Sequence, residues 1–503
     1  MSNISTKTFA LAAAAAFATA TPLALAPDLA PVAVAQNNQA VDVNKTGTLT
    51  INKQEGDPGA ATGTVEGTEF TVERVQMTNG LNTAAGWTEA GNIVSAGAGE
   101  AAIDTTFTAQ TKATDADGVA AFTDLPVGIY KVTEKTNGNY TVAAPFLVTL
   151  PLTQQDGSLT YTPTVSPKNQ KLDPTKAADD ANANIGDQIT YTIKAPVPAG
   201  DVLQDGSRTI SQFRITDDLQ QELTYVADSA EVTLAGADDT TLGEGDYTIS
   251  NDGQNLTVEF TPAGLQRLET LRADNPGLTV QVVFKAEVNA IPANGQIDNT
   301  ANVYVPNRDE PIQSKPETEK DGDQDTNDTT TQYANVEVTK TLNGNPVEDG
   351  KTGNGAEFEI YPCAPEGEGY AVADGAEAIK GTATANSTEV ATTFTAQGGD
   401  VDSAKAAVAS GFGMQLNPTV QYCAVETKAP AGYLVNPDPQ LLTLTTKGTD
   451  TNRPVYTVAV NDVKDNIFGR LPATGERTML YILALGLVLF GGGAAYQLSR
   501  RNA

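Results

Sequence analysis

The sequence predicts an all-β protein made of three tandem β-sandwiches, and three observations carry that prediction. The chain has 503 residues, room for about three domains of ordinary size. Between its ends, turn-rich runs alternate with short segments rich in threonine and valine, while helical period shows only in patches such as "PAGLQRLETLRA". One outline also occurs twice. "GTLTINKQEGDP…GTEFTVERV…GVAAFTDLPVGIYKVTEKTNGNY" returns as "ANVEVTKTLNGN…GAEFEIYPC…VQYCAVETKAPAGYLV". Each copy has a lysine-bearing first strand, a G-x-E-F strand and a Tyr-x-x-x-Glu strand, which reads as an internal duplication of one sandwich.

Taken in order, residues 1–35 read as a secretory signal: Lys7 precedes an alanine-rich apolar run, and "AVAQ" offers a small-residue cleavage point after Ala35. Residues 36–171 form the first repeat. Residues 172–331 differ from it, and "IGDQITYTIKAPVP", "FRITDDLQQELTYV" and "GQIDNTANVYVP" mark a separate middle sandwich. The polar run "SKPETEKDGDQDTNDTTTQ" leads into the second repeat, residues 332–469. Its acidic cluster lacks the glycine and terminal glutamate of a calcium-wrapping loop, so it reads as a solvated linker, and no metal site is predicted. Thr478 to Ser499 carries no charge and is followed by Arg500 and Arg501, the pattern of a membrane-spanning helix with a basic cytoplasmic tail.

Composition removes several function classes. A net charge of −31 opposes nucleic acid, whose binding needs clustered lysine and arginine. The chain has no histidine, which excludes Ser-His-Asp and Cys-His hydrolases and the commonest metal centres. Carboxylates, lysines and amides must carry any chemistry, and no cofactor is implied.

Strand alternation places such groups inward. Leu49, Ile51 and Lys53 share one face, as do Tyr130, Val132 and Glu134. In "SLTYTPTVSPKNQKL", Tyr161, Val165 and Asn169 share a face while Lys168 points to the other. The last domain repeats the pattern with Val336, Val338 and Lys340, and with Tyr422, Ala424 and Glu426. Its final strand puts Tyr456, Val458 and Val460 inward; Asn461 has the outward parity and reaches the interior only through a bulge or twist. In the middle domain Phe213, Ile215 and Asp217 form an inward row, as do Ile297, Asn299, Ala301 and Val303, with Lys176 on the entering strand. Lys194 competes with Lys176, although Ile189, Tyr191 and Ile193 leave it on the opposite face. Each domain thus offers a lysine early, an acid midway and an asparagine late. Burial drives an amine toward its neutral, nucleophilic form and a carboxyl toward its protonated form, which polarises a carbonyl. Attack of such an amine on asparagine, with loss of ammonia, yields a Lys-Asn isopeptide bond.

"YCAVETKAPAGY" resembles the E-box, Y-x-L-x-E-T-x-A-P-x-G-Y, of the Cna B-type immunoglobulin-like domains of Gram-positive pilins, with Ala424 at the leucine position; "YKVTEKTNGNY" keeps the Tyr and Glu parts. The resemblance implies isopeptide triads Lys53, Glu134, Asn169 and Lys340, Glu426, Asn461, and, with aspartate as the acid of the middle domain, Lys176, Asp217, Asn299. "LPATGERT", the apolar run and the basic tail resemble a cell-wall sorting signal. That similarity implies scission by sortase within Leu471, Pro472, Ala473, Thr474, Gly475, between Thr474 and Gly475, and only transient membrane residence. The three-domain order resembles the shaft pilins of corynebacterial sortase-assembled pili.

That family's pilin motif, W-x-x-x-V-x-V-Y-P-K, ends in the lysine that receives the sorting threonine of the next subunit. This chain keeps Val165, Pro167 and Lys168 but has Leu159, Pro163 and Ser166 at the Trp, first Val and Tyr positions. Lys168 is therefore the expected acceptor, with Lys171 the runner-up. The resemblance implies these partners: a pilin-specific sortase, a housekeeping sortase, identical subunits in a linear polymer, tip and base minor pilins, and peptidoglycan. The expected location is the cell wall and a surface pilus. Cys363 and Cys423, the two cysteines of an exported chain, both have outward parity and are expected to form a disulfide. The competing reading is a monomeric wall-anchored adhesin. An enzyme acting on an external substrate ranks behind both, because inward sites of this kind would be consumed by their own reaction.

Overall fold

The computed structural model describes residues 40–465 apart from 155, 182, 204–206, 239–240, 318–328, 385–386, 418 and 450. The expected leader, the LPATG motif and the apolar span lie outside the described residues, as does most of the acidic run. Among the described residues no helix is long and apolar enough to cross a membrane.

In the first domain "TGTLTIN" forms the strand Thr46–Asn52, which buries Leu49 and Ile51. Burying such a side chain is worth roughly 1.5–3 kcal/mol, and a one-residue slip would turn the whole row to water, so alternation fixes the register. This strand pairs antiparallel with Val119–Pro126 and parallel with Thr164–Val165. The facing sheet runs Gln110–Ala113, Glu69–Arg74, Gly128–Glu134, Phe146–Leu150. Phe70, Phe122, Val132 and Val148 fill the space between the sheets.

A helix that the sequence did not announce, Ala84–Ala96, lies in this domain. Two glycines and a central threonine give it weak propensity. Tertiary packing selects it: Thr83 caps it by accepting the Gly86 N–H at 3.0 Å, and Trp87 and Ile93 pack on a satellite cluster that includes Val75, Leu81 and Ile129. Gly86 is required there, since a Cβ would meet the Gly80 carbonyl oxygen at 2.0 Å.

The middle domain packs two sheets. One has the order Leu223–Tyr225, Thr279–Val288, Gln188–Pro196, Thr175–Asp179, Lys315–Pro316, with Glu231–Ala235 also on Thr279–Val288. The other runs Tyr247–Asn251, Asn255–Phe260, Arg214–Asp218, Ala301–Tyr304, Ile312–Gln313. The helical patch read from "PAGLQRLETLRA" is the helix Pro262–Asp274, with Thr261 as its cap and proline in its first turn.

In the last domain the hydrogen-bonded path runs Gln440–Leu441, Gln421–Lys428, Glu357–Glu366, Thr393–Gln397, Ala407–Gln415, Thr330–Leu342, Val455–Asp462, Thr443–Thr446. Val336, Val338, Phe358, Ile360, Phe412 and Ala424 form its core. The parallel register of Thr330–Leu342 with Val455–Asp462 runs without a bulge from Asn335 opposite Val455 to Leu342 opposite Asp462.

The domains are joined by more than linkers. The strand Thr330–Leu342 begins as a partner of Gln296–Asp298 in the middle domain, and Tyr333 enters the middle core, donating to the Ala183 carbonyl at 2.9 Å. Buried Arg453 donates to the Pro292 carbonyl at 2.8 Å. On the other side Arg272 grips Asp57 through two parallel bonds of 3.0 and 2.9 Å, the strong two-pronged form of a charge-assisted contact.

Candidate functional site

Three buried lysines mark three equivalent positions. Lys53, Lys176 and Lys340 are each fully buried; Lys176 and Lys340 lie on the strands Thr175–Asp179 and Thr330–Leu342, and Lys53 directly follows the strand Thr46–Asn52. Beneath each amine is an aromatic ring: Phe70 at 5.7 Å, Tyr191 at 4.6 Å with Phe284 at 5.5 Å, and Phe358 at 5.7 Å. Phe70 and Phe358 are the aromatic members of the repeated G-x-E-F element, a signal visible in the sequence but not used there for this role.

In the first domain Lys53 Nζ lies 2.8 Å from Glu134 Oε2, while Asn169 Nδ2 donates to Glu134 Oε1. One carboxyl group therefore touches both prospective partners. Burial lowers the Lys53 amine to about 8 against the pull of Glu134, and burial raises Glu134 despite Lys53 and Asn169. The Asn169 carbonyl oxygen is buried without a hydrogen-bond partner. Such an acceptor is costly to leave open and is the atom that a protonated carboxyl would polarise.

In the middle domain Lys176 is paired with Asp217, again with the amine lowered to about 8 by burial and the carboxyl raised by burial. Asn299 is buried beside them, and neither of its amide atoms forms a well-shaped hydrogen bond. Lys194 is absent from this cluster: it is half-buried on the opposite face and paired with Glu317, as its parity requires.

The last domain departs from expectation. Lys340 contacts Glu426 at 2.8 Å and is bonded to Asp462, not to Asn461. The bulge needed to turn Asn461 inward does not form, so strict alternation buries Val460 and Asp462 and leaves Asn461 in water. There its side-chain oxygen accepts the Gly344 N–H at 2.6 Å and the Thr341 hydroxyl at 3.2 Å. Burial, then the neighbouring Glu426 carboxyl, pushes Asp462 up to about 7. Glu426 is itself oriented by the Asn436 N–H at 2.8 Å. Gly353, which the sequence did not single out, makes room for the lysine: a Cβ there would meet Lys340 Cβ at 2.4 Å.

Lys168 and Asn169 form a two-residue strand, parallel to Gln54 and Glu55, on which Asn169 is buried and Lys168 half-buried. Lys168 lines a cleft of about 130 Å³ between the first and middle domains. Lys171, by contrast, is exposed and lies 3.7 Å from Asp173. Thr474 is outside the described residues. Cys363 and Cys423 are joined by a disulfide with an S–S distance of 2.04 Å, across the adjacent strands Glu357–Glu366 and Gln421–Lys428. Both cysteines are buried despite their outward parity.

Comparison with known proteins adds the biological class. Residues 32–170 match the family described as Gram-positive pilin subunit D1, N-terminal domain, and residues 169–316 match the Sgo0707 N2 domain. The chain is 31% identical to fimbrial subunit type 2 of Actinomyces naeslundii over 92% of its own length and 91% of that protein's. It belongs to the Gram-positive fimbrial subunit family. The pilin is also 31% identical to fimbrial subunit type 1 of Actinomyces viscosus, over 98% of each chain. Its fold is that of the Corynebacterium diphtheriae major pilin SpaA, with a TM-score of 0.59 at 24% identity, covering 83% of this chain and all of that one. The pilin is a structural subunit of a polymerised surface pilus, and its β-sandwich order follows that of SpaA.

Proposed function

We propose that this pilin is polymerised by a pilin-specific sortase, which transfers the acyl group of Thr474 to Lys168 of the neighbouring subunit. The single observation that supports this reading best is the place of Lys168: an amine in an interdomain cleft, one residue from a buried asparagine. A housekeeping sortase then attaches the finished fibre to peptidoglycan, with minor pilins at tip and base, and membrane retention through the apolar span ends at cleavage of LPATG. Within each subunit, divided at 36–171, 172–331 and 332–469, self-catalysed bonds join Lys53 to Asn169, Lys176 to Asn299 and Lys340 to Asp462, promoted by Glu134, Asp217 and Glu426. The first two lose ammonia; the third, a carboxyl, loses water.

Immunoblots of cell-wall extracts boiled in detergent test the polymer. Lys168→Ala should abolish the high-mass ladder while leaving monomer on the wall, and Lys168→Arg should do the same, since a guanidinium stays protonated. A normal ladder in both variants would reassign the acceptor to another lysine such as Lys171. A wild-type chain that never forms a ladder would make it a monomeric wall-anchored adhesin.

A further inference from the structure

The Lys168 cleft has walls from two domains. Among the described residues that line it only two carry charge, Lys168 from the first domain and Asp201 from the middle domain; the rest are neutral, with Pro58, Pro145, Phe146 and Pro306 prominent. One carboxylate and one amine thus share a cleft whose other walls are largely proline and further apolar residues. Asp201 is also held in place. The Asn307 side-chain amide donates to its two oxygens at 3.0 and 2.8 Å, and the Ala144 N–H donates to Oδ1 at 3.4 Å. The same Asn307 amide donates to the Val142 carbonyl at 3.1 Å. The Ala144 and Val142 bonds cross the domain boundary, whereas Asn307 and Asp201 both belong to the middle domain, so docking closes the cleft over a carboxylate that the middle domain itself holds. Burial raises the Asp201 carboxyl, which makes its ionised form a better base than a surface aspartate.

Resting on Lys168 as the acceptor, we propose that Asp201 orients the Lys168 amine and takes its proton during acyl transfer, so that two domains of one subunit compose the acceptor site. The co-reactant is an enzyme-bound acyl thioester that carries the Thr474 carbonyl. The neutral fraction of Lys168 Nζ attacks that carbon and a C–N bond forms. The surplus proton on nitrogen passes to Asp201, the C–S bond breaks with its electron pair on sulfur, and the proton then returns to the thiolate. Amine and thioester become amide and thiol, with nothing oxidised or reduced. A strut between domains needs a hydrogen-bond acceptor at this position but no charge, and that difference is what an experiment can read.

The assay uses the mature chain as acceptor, a peptide containing LPATG as donor and the pilin-polymerising transpeptidase, with the modified lysine identified by mass spectrometry. Asp201→Asn keeps the shape and an acceptor oxygen. It should lower kcat about a hundredfold, the ordinary worth of a positioned base, while KM for the acceptor changes less than twofold. Melting temperature and the mass loss from internal bonds should stay as in the native chain. Asp201→Glu should restore part of kcat. Asn307→Ala, which removes the strut but keeps the carboxylate, should cost far less. An unchanged kcat in Asp201→Asn overturns the proposal, as does a loss confined to KM, or equal losses in the Asn and Glu variants. If Lys168→Arg accepts the peptide on another lysine at the native rate, the choice of acceptor has failed instead, and the two failures are told apart by the site of modification.

Discussion

The first and last domains present the same lysine, glutamate and phenylalanine in the same arrangement, yet they set a different carbonyl-bearing side chain beside that cluster. In the first it is Asn169, a neutral amide bonded to Glu134; in the last it is Asp462, a carboxyl that shares its surroundings with Glu426. An amide keeps one acid and one base in the cluster, whereas a second carboxyl adds a negative charge that must be neutralised by a proton. Burial first, and then the Glu426 carboxyl, raises Asp462 accordingly. What the two repeats share is an inward carbonyl beside a buried amine, and under the proposed bond chemistry they differ in the leaving group, ammonia in one and water in the other.

The largest expected effect comes from removing the shared acid. Glu134→Ala and Glu426→Ala should each abolish one internal bond while leaving the other two, because a positioned acid–base is ordinarily worth about 10²–10⁴ in rate. Intact mass, corrected for the substitution, should rise by about 17 Da in the first variant and about 18 Da in the second, the masses of ammonia and water not expelled. Equal increments would collapse the distinction between the domains. Asp462→Asn sharpens it: the amide would be formed with loss of ammonia, so the cross-linked variant and the cross-linked native chain should have identical masses although their unreacted chains differ by about 1 Da. A mass above the native value by one whole leaving group would show that the last site accepts only a carboxyl.

A smaller effect separates the two domains by their second staple, which the first lacks. In Asp462→Ala, where only Cys363–Cys423 closes the last domain, reduction of this link between residues 60 apart should cost about 4 kcal/mol by loop-closure entropy. Chemical denaturation with and without reductant measures it, and no change in midpoint would remove the disulfide from the comparison. Smallest of all, Asn461→Ala should cost about 1 kcal/mol for its surface hydrogen bonds and leave the cross-link mass intact. Loss of the bond in that variant would restore Asn461 as the electrophile.

Much of this was legible in the sequence because the chemistry rides on period 2. Lys53, Glu134, Asn169, Lys176, Asp217 and Asn299 fall in register with apolar neighbours, and the structure finds them buried together in two clusters. The same rule also decided between Lys176 and Lys194. It was overruled at one site, where Val458, Val460 and Asp462 share a parity but the family's preference for asparagine drew attention to Asn461 and required a bulge that does not exist, and it misplaced Cys363 and Cys423, which are buried on their outward parity. Other features had no local signal. The helix Ala84–Ala96 is held by Trp87 and a satellite cluster, not by its own propensity. Asp201 acquires meaning only where two domains meet, and no periodicity along one strand reports on a neighbour's surface.

The adjacency of Lys168 and Asn169 decides how tension would travel through the fibre. A pull that enters one subunit at Lys168 and leaves at its own Thr474 runs toward the C-terminus, away from residues 40–167. Were the proposed bonds to tie Lys176 to Asn299 and Lys340 to Asp462, the pull would cross from the entering strand of each later domain directly to its late strand, and the folded segments 177–298 and 341–461 would be bypassed. The lengths of chain left to bear it would be 169–176, 299–340 and 462–474. The middle length includes the strand Thr330–Leu342, sewn to both domains by hydrogen bonds and by Tyr333. On that path the first domain rides beside the cable, which leaves its helix and the surface away from the Lys168 cleft free to change without weakening the line.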